Sequence, residues 1–531
     1  MDFADSNNNF AKEASCILQV TQREPRLTGE GVIVAILDSG IDFFLPEFQD
    51  AEGKTRILAI WDQTAVAEEQ QGFLPPPGYQ EGVLYTREQI NEALSLGREN
   101  GQKLVPVLDL SGHGTAVAGV AAGSLIGVAP KADILVIKLG TPQPDSFPRT
   151  TQLIRGIDYA VKLGIELNKP VVLNLSFGNT YGDHHGNSLL ERFIDNASEI
   201  GKSAIIIGSG NEGASRGHTA GIAKELQRIE LTIADYETGL SIQLWKHYQD
   251  IYNMTIVSPS GERVTLELAN LRQADTVRRR LEQTQLLCFL GEPLPYSTSQ
   301  EIFIDMMPME RGTPMERGMP MERGMPIERG MPIERGISVG SYINNGVWRF
   351  ELEPVSVVTG EYRFYLPSYA VRNAGTGFLL PTPEMTITIP STSRRAITVG
   401  AYDPIYRRYA DFSGRGFVYR YEEGRLNRPN VPFGVAEVKP DLTAPGVNIS
   451  VPVPNGGYEK VSGTSFATPF VSGSAALLME WGIVRGNDPF LFGQKLKAYL
   501  IRGTRPLAGV PERPDSMTGW GTLCVQNSIP L

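Results

Sequence analysis

Val32-Ile33-Val34-Ala35-Ile36-Leu37-Asp38-Ser39-Gly40 is an apolar run of six that stops at an acid, a hydroxyl and a glycine. An apolar run without alternation reads as a strand buried on both faces, and its abrupt end reads as a turn. Ile134-Leu-Val-Ile137, Val171-Val-Leu-Asn-Leu175 and Ala204-Ile-Ile-Ile207 repeat the pattern. Between them lie helical stretches such as Thr151 to Leu163, with Leu153, Ile154, Ile157 and Val161 at helical spacing. Strands of this kind alternating with helices predict an α/β fold, a parallel sheet covered by helices on each side. Sites in such sheets sit beyond the carboxyl ends of the strands. The glycine-rich segments at Asp38 and Asn211 both follow apolar runs, which places them there.

From about Glu225 the texture changes. Leu240–Trp245, Met254–Val257, Val264–Leu268, Gly346–Leu352 and Tyr362–Leu366 alternate apolar and polar residues with turn signals between them. That is the pattern of an antiparallel sheet wetted on one face, by preference a β-sandwich. Mixed texture returns near Thr386 and a long helix pattern starts at Ser465. The expected organisation is an N-terminal segment 1–27, an α/β part 28–224, an inserted sandwich 225–380 and a second α/β part 381–531. Residues 307–336 hold five six-residue units, from Met307-Pro-Met-Glu-Arg-Gly312 to Met331-Pro-Ile-Glu-Arg-Gly336, with seven of the chain's 13 methionines. Proline at the second place of each unit removes ladder donors, and one Glu with one Arg leaves each unit neutral. The repeat reads as a loop of the sandwich, with a partner-docking strap as the alternative.

The chain has 531 residues, 59 acidic against 49 basic, and a net charge of −10. Without a basic patch, nucleic acid is not expected as a partner. No apolar stretch suits a membrane span, and the acidic start shows no signal peptide, so cytoplasmic synthesis is expected. Cys16, Cys288 and Cys524 are odd in number, far apart and match no metal spacing, which argues against a disulfide framework and for a reducing compartment. No cofactor is expected and no metal ligands are assigned, since no oxygen-rich loop is specific enough for calcium. The oligomeric state is open, with a monomer favoured.

Three segments place a reactive group beside glycines: Ile36-Leu-Asp38-Ser-Gly-Ile-Asp42, Ser111-Gly-His113-Gly-Thr-Ala-Val-Ala-Gly119 and Gly463-Thr-Ser465-Phe-Ala-Thr-Pro469. Nucleophilic hydrolysis needs a hydroxyl, an imidazole to take its proton and a carboxylate to orient that imidazole. Small neighbours let a substrate backbone approach and let helices pack closely. The order Asp, His, Ser is the order of subtilisin's triad.

On these residues the chain resembles the subtilisin-like serine proteases. The resemblance implies a three-layer α/β/α fold with a mainly parallel sheet. It also implies an orienting acid at Asp38, a general base at His113 and a nucleophile at Ser465. Ile207-Gly-Ser-Gly-Asn211-Glu-Gly resembles the segment of the oxyanion asparagine, which assigns that amide to Asn211. Ser176-Phe177-Gly178 resembles the substrate-edge strand and Leu139-Gly140 the opposite edge, so a peptide would be clamped as an added strand. Lys439-Pro-Asp-Leu-Thr-Ala-Pro-Gly446 is a further family signature. Ile57-Leu-Ala-Ile-Trp-Asp-Gln63, Tyr85–Ile90 and the insert, read as jelly-roll-like, are similar to the Csp spore-germination proteases. These cleave the pro-form of a spore cortex hydrolase, which implies a protein or peptide substrate and a spore-associated site of action. Only 37 residues precede Asp38, so the family's N-terminal pro-segment is expected to have been cleaved or to be dispensable.

Other candidates have blander readings. Asp42 lies past the turn and reads as structural, Asp109 as a cap or turn acceptor, Asn174 as a buried amide, and His184-His185 as a solvated loop without a third ligand. His218 reads as a loop residue. A catalytically silent subtilase, acting as scaffold or germination receptor, is the alternative function; such members lose triad residues, and all three stand here. A glycan-binding role for the sandwich is disfavoured because Trp245, Trp348 and Tyr362 form no stripe.

Overall fold

The computed structural model describes residues 3–68, 72–140, 149–268, 276–295, 297–309, 342–419, 421–422, 425–426, 437–510 and 512–530. The chain divides into two compact units, Met1–Ala214 with Glu384–Leu531, and Ser215–Pro383. The second unit begins ahead of residue 225 because it takes in the strand His218–Ile222, whose short mixed sequence carries no alternation to flag it.

In the first unit the early strands are β1 (Ile33–Asp38), β2 (Ile57–Asp62), β3 (Val83–Thr86), β4 (Asp133–Lys138), β5 (Val171–Leu175) and β6 (Ser203–Gly208). They belong to a nine-stranded sheet in the order Arg408–Tyr409, Ile397–Asp403, β6, β5, β1, β4, β2, β3, with Leu442–Pro445 also pairing with Ile397–Asp403. All pairings among β1, β2, β4, β5, β6 and Ile397–Asp403 are parallel, while β3 is antiparallel on one edge. Each central strand feeds two cores by its period of two. Val34 and Ile36 of β1 face one, with Ile134 and Val136 of β4. Ile33, Ala35 and Leu37 face the other, with Leu135 and Ile137. Helices close both sides, as the apolar runs required: Thr150–Glu166 and Leu189–Ala197 on one, His113–Ala122 and Thr464–Met479 on the other.

Register decides where the site forms. Leu37 of β1 pairs with Leu175 of β5, and Leu175 with Ile207 of β6, so three adjacent strands end level. Asp38, Ser176 and the Gly208–Asn211 segment therefore emerge side by side.

The second unit contains a five-stranded and a six-stranded antiparallel sheet. Their inward residues, among them Leu231, Phe350 and Leu352 from one and Ile242, Leu244 and Ile304 from the other, share a single core. This is the expected antiparallel sandwich. Cys288 lies buried in it, and burial pushes its thiol pKa up to about 12. Most of the hexapeptide repeat lies outside the described residues, which resume at 342.

The cysteine expectation is corrected. Cys16 and Cys524 are disulfide-bonded, with their Cα atoms 4.8 Å apart across 508 residues of sequence. The Val525 N–H donates to the Ser15 carbonyl (3.0 Å), so the segments next to the two cysteines run together and bring the thiols into contact. Separation along the chain carried no information about that.

Candidate active site

Asp38 closes β1 and is 6% exposed. Its Oδ1 accepts from the Ser39 backbone N–H (2.7 Å) and lies 2.7 Å from His113 Nδ1. Both flanking glycines are there for space. Gly40 has φ +128°, and a Cβ on it would sit 2.9 Å from the Leu108 carbonyl. A Cβ on Gly114 would sit 2.2 Å from the Gly40 carbonyl, so the helix carrying His113 can approach the turn only if residue 114 has no side chain.

His113 is the first residue of its helix, and Asp109 holds that helix end. Asp109 Oδ1 accepts from Ser39 Oγ (2.8 Å), Ser111 Oγ (3.2 Å) and Gly112 N (3.0 Å), and Oδ2 from Thr115 N (2.8 Å) and Thr115 Oγ1 (2.7 Å). Asp109 is thus a cap and turn acceptor, as its place before the motif suggests. The carboxylate also sits at the positive end of the helix dipole. Burial pulls the His113 pKa down, but the Asp38 charge, the Asp38 hydrogen bond and the Asp109 charge outweigh it and leave the imidazole above its ordinary value.

Ser465 stands in the first turn of Thr464–Met479, packed against the His113 helix through small residues. A Cβ on Gly473 would meet Val128 Cβ at 2.5 Å and the Ala121 carbonyl at 2.7 Å. The His113 ring centroid is 5.7 Å from that of Phe466, the residue after Ser465. Ser465 Oγ donates to the Ser176 carbonyl (2.8 Å) rather than to His113. Ser176 Oγ in turn donates to the Ser465 carbonyl (3.0 Å) and accepts from Asn174 Nδ2 (2.8 Å), while Ser472 Oγ donates to Asn174 Oδ1 (2.7 Å). This relay pins the end of β5 to the serine helix, a role for Ser176 and Ser472 that no motif announces. Asn174 is the buried amide the strand pattern suggested.

Asn211 Oδ1 accepts from Thr464 N (3.0 Å) and Thr464 Oγ1 (3.1 Å). That leaves Nδ2, which would lie 3.5 Å from a Cβ on Gly463, as the donor end. Phe177 and Gly178 continue from Ser176, and Asn179 exchanges two backbone bonds with Ile389 (3.0 and 2.8 Å). Leu139 and Gly140 follow β4, and Leu139 N donates to the Asp38 carbonyl (2.8 Å). No described hydrogen bond ties Leu139 or Gly140 to Ser465.

These strand ends, helix ends and asparagine fall within the two stretches that match a family profile, Peptidase_S8: Subtilase family, over residues 29–258 and 380–521. The chain belongs to the subtilase family. A solved structure similar to this subtilase is that of the Clostridium perfringens CspB protease, with 32% identity and a TM-score of 0.80, covering 98% of this chain and 96% of that one. The resemblance to the Csp type read from the sequence agrees with it. The PII-type proteinase of Lactococcus lactis subsp. cremoris is 24% identical over 486 residues, 87% of this subtilase and 23% of the proteinase. Serine protease AprX of Bacillus subtilis (strain 168) is 31% identical over 167 residues, 28% of this chain and 32% of AprX. The chain thus spans under a quarter of the lactococcal proteinase's length.

Two histidines of this subtilase depart from their sequence readings. His184 is buried, at φ +54°, with Nδ1 2.7 Å from the Ile387 carbonyl and Nε2 3.2 Å from that of Thr180. It is a packed link between segments, not a solvated loop residue. His218 lies on a strand of the sandwich, buried and stacked on Tyr365 at 4.5 Å. Asp42 accepts from Phe44 N (3.2 Å), Asn455 N (2.8 Å) and Arg98 Nη1 (2.9 Å), a structural role. Among the described residues no group of three or more His, Cys, Asp or Glu could hold a metal, and no helix is long and apolar enough to cross a membrane.

Proposed function

We propose that this chain is a serine endopeptidase in which Ser465 is the nucleophile, His113 the general base, Asp38 the orienting acid and Asn211 an oxyanion donor. The 2.7 Å contact between His113 Nδ1 and Asp38 Oδ1 carries the reading, because it commits Nδ1 as the donor and leaves Nε2 as the base. In this proposal Ser465 Oγ leaves the Ser176 carbonyl for that nitrogen, which frees the carbonyl to accept from a substrate amide. Oγ then attacks the peptide carbonyl while Nε2 takes its proton. As the tetrahedral intermediate collapses, the C–N bond breaks and the same proton passes to the leaving amine. Water repeats the sequence on the acyl-enzyme. Asn211 Nδ2 and backbone N–H groups receive the oxyanion, which is stabilised most in the transition state. The peptide lies as an added strand along Ser176-Phe177-Gly178, with Leu139-Gly140 as the opposite edge.

A fluorophosphonate probe tests this directly. The protein is expected to be labelled at Ser465, and Ser465→Ala to abolish labelling. Labelling elsewhere, or none, overturns the assignment, and none would favour the silent scaffold. The likeness to the CspB protease supports a narrower proposal, that the substrate is the pro-form of a spore cortex hydrolase and the site of action the spore. Incubation of the two purified proteins should give one discrete cut that Ser465→Ala does not make.

A further inference from the structure

We propose that Thr388 closes the side-chain slot beside Ser465, so that the enzyme accepts only a short residue on the acyl side of the cleaved bond. The inference rests on the endopeptidase reading above and names its specificity.

Thr388 spans the gap between two walls that the site already uses. Its N–H donates to the Ser209 carbonyl (3.0 Å), and the next residue, Ile389, exchanges both backbone bonds with Asn179. One wall is thus the segment carrying Ser176 and Gly178, locked to Ser465 by reciprocal bonds. The other carries Gly210 and Asn211, locked to Thr464. Each wall turns a glycine toward the Thr388 side chain, which fills the space beside both. An added Cβ on Gly178 would lie 2.3 Å from Thr388 Oγ1, and one on Gly210 would lie 2.4 Å from Cγ2 and 2.6 Å from Oγ1.

A substrate side chain leaving the carbonyl under attack by Ser465 has to pass between these glycines. It meets Thr388 at once. Gly, Ala or Ser fits, whereas Leu or Phe needs the walls to part or the segment around residue 388 to retreat. The Thr388 hydroxyl gives the slot a chemical preference as well. The residue is 3% exposed and Oγ1 is buried without a hydrogen-bond partner. A buried hydroxyl left unpaired is unfavourable, so a ligand group that supplies its partner is favoured. Serine's hydroxyl is short enough to do so, which makes serine preferred over alanine.

The test uses the full chain and four fluorogenic peptides that differ only in the acyl-side residue, Ala, Ser, Leu or Phe. Rates are normalised to the active fraction by fluorophosphonate titration. Wild type is expected to favour Ala and Ser over Leu and Phe by at least about tenfold in kcat/KM, a methylene in a tight pocket being worth roughly 10- to 200-fold. Thr388→Gly should move the Leu-to-Ala and Phe-to-Ala ratios up within that range. Thr388→Ala, which keeps the Cβ, should move them the same way by less. Thr388→Val should keep the size limit and erase the preference for Ser. Wild type cutting after Phe as well as after Ala, or unchanged ratios in both Thr388→Gly and Thr388→Ala, overturns the proposal while titration still reports an active serine. Absent titration instead overturns the endopeptidase reading beneath it.

Discussion

Replacing Asp109 by alanine removes one carboxylate and strands five donors. Three of them, Ser39 Oγ, Ser111 Oγ and Gly112 N, lie at the half-open rim, where water can take over. The two on Oδ2, Thr115 N and Thr115 Oγ1, are buried and have no such recourse. A hydrogen bond to a charged group contributes about 1.5–3 kcal/mol net, so the buried pair alone suggests about 3–6 kcal/mol. Because the bonds share one anion they do not add fully, and about 3–5 kcal/mol is expected, the range for taking one partner out of a buried charged network. Gly112 and Thr115 flank His113, so the same change loosens the residue proposed as general base; a misplacement of about 1 Å costs on the order of 10²-fold in rate. Hydrogen exchange of the amides of residues 112–120 reads local stability separately from the sandwich unit, and kcat/KM on a peptide reads the chemistry. Asp109→Asn should recover less than half of the loss, since its NH₂ must face either the Thr115 or the Gly112 donors. A protection change under about 1 kcal/mol with kcat/KM within a few fold of wild type would refute the anchoring role. A loss beyond about 10⁴-fold with protection intact would mean that Asp109 acts on the reacting atoms, not on the helix end.

The His113 pKa is raised above 6.5 in the folded chain. The proposed general base acts through the neutral ring, so kcat/KM should rise with pH with a midpoint above 6.5, whereas the stabilisation from the ion pair is complete below the unfolded pKa and is lost as pH climbs through the folded one. Asp38→Asn should move that midpoint down and lower kcat by about 10⁴-fold, and a midpoint that stays put would contradict the coupling. In the buried group Lys439–Asp441–Lys497, Asp441 Oδ2 is 2.9 Å from Lys439 Nζ and Oδ1 is 2.7 Å from Lys497 Nζ. Burial pushes the Lys439 pKa down to about 8 against the pull of Asp441. The unfolded chain therefore binds more protons between about 8 and 10.5, and denaturation midpoints should rise with pH there, more steeply in Asp441→Asn. Reducing Cys16–Cys524, or Cys16→Ser, should lower stability by about 2–5 kcal/mol, read as a fall in thermal midpoint; an unchanged midpoint under reductant would mean that the bond holds nothing in place.

The segments that frame the candidate site were legible in the sequence. Gly40 and Gly114 stand in their motifs because the turn and the helix would otherwise collide, the runs of β1, β5 and β6 are apolar throughout because each feeds two cores at once, and their parallel register brings their ends level. What stayed hidden depends on contacts between segments that no local pattern encodes. Ser176 looked like a substrate edge, yet it also shares two hydrogen bonds with Ser465. His184 sat among Gly, Asp and Asn and read as solvated, but it is buried with carbonyls 2.7 and 3.2 Å from its two ring nitrogens. Thr388 belongs to no motif, and the part proposed for it rests on two glycines, distant in sequence, that face it.

The Cys16–Cys524 bond has one more consequence. With Cys16 joined to Cys524, the polypeptide between them is topologically a ring of 509 residues. A single hydrolytic cut anywhere inside that ring opens it without letting go of either piece. The nicked molecule would run as one band on a non-reducing gel, heavier by a single water, and separate into two only when thiol is added.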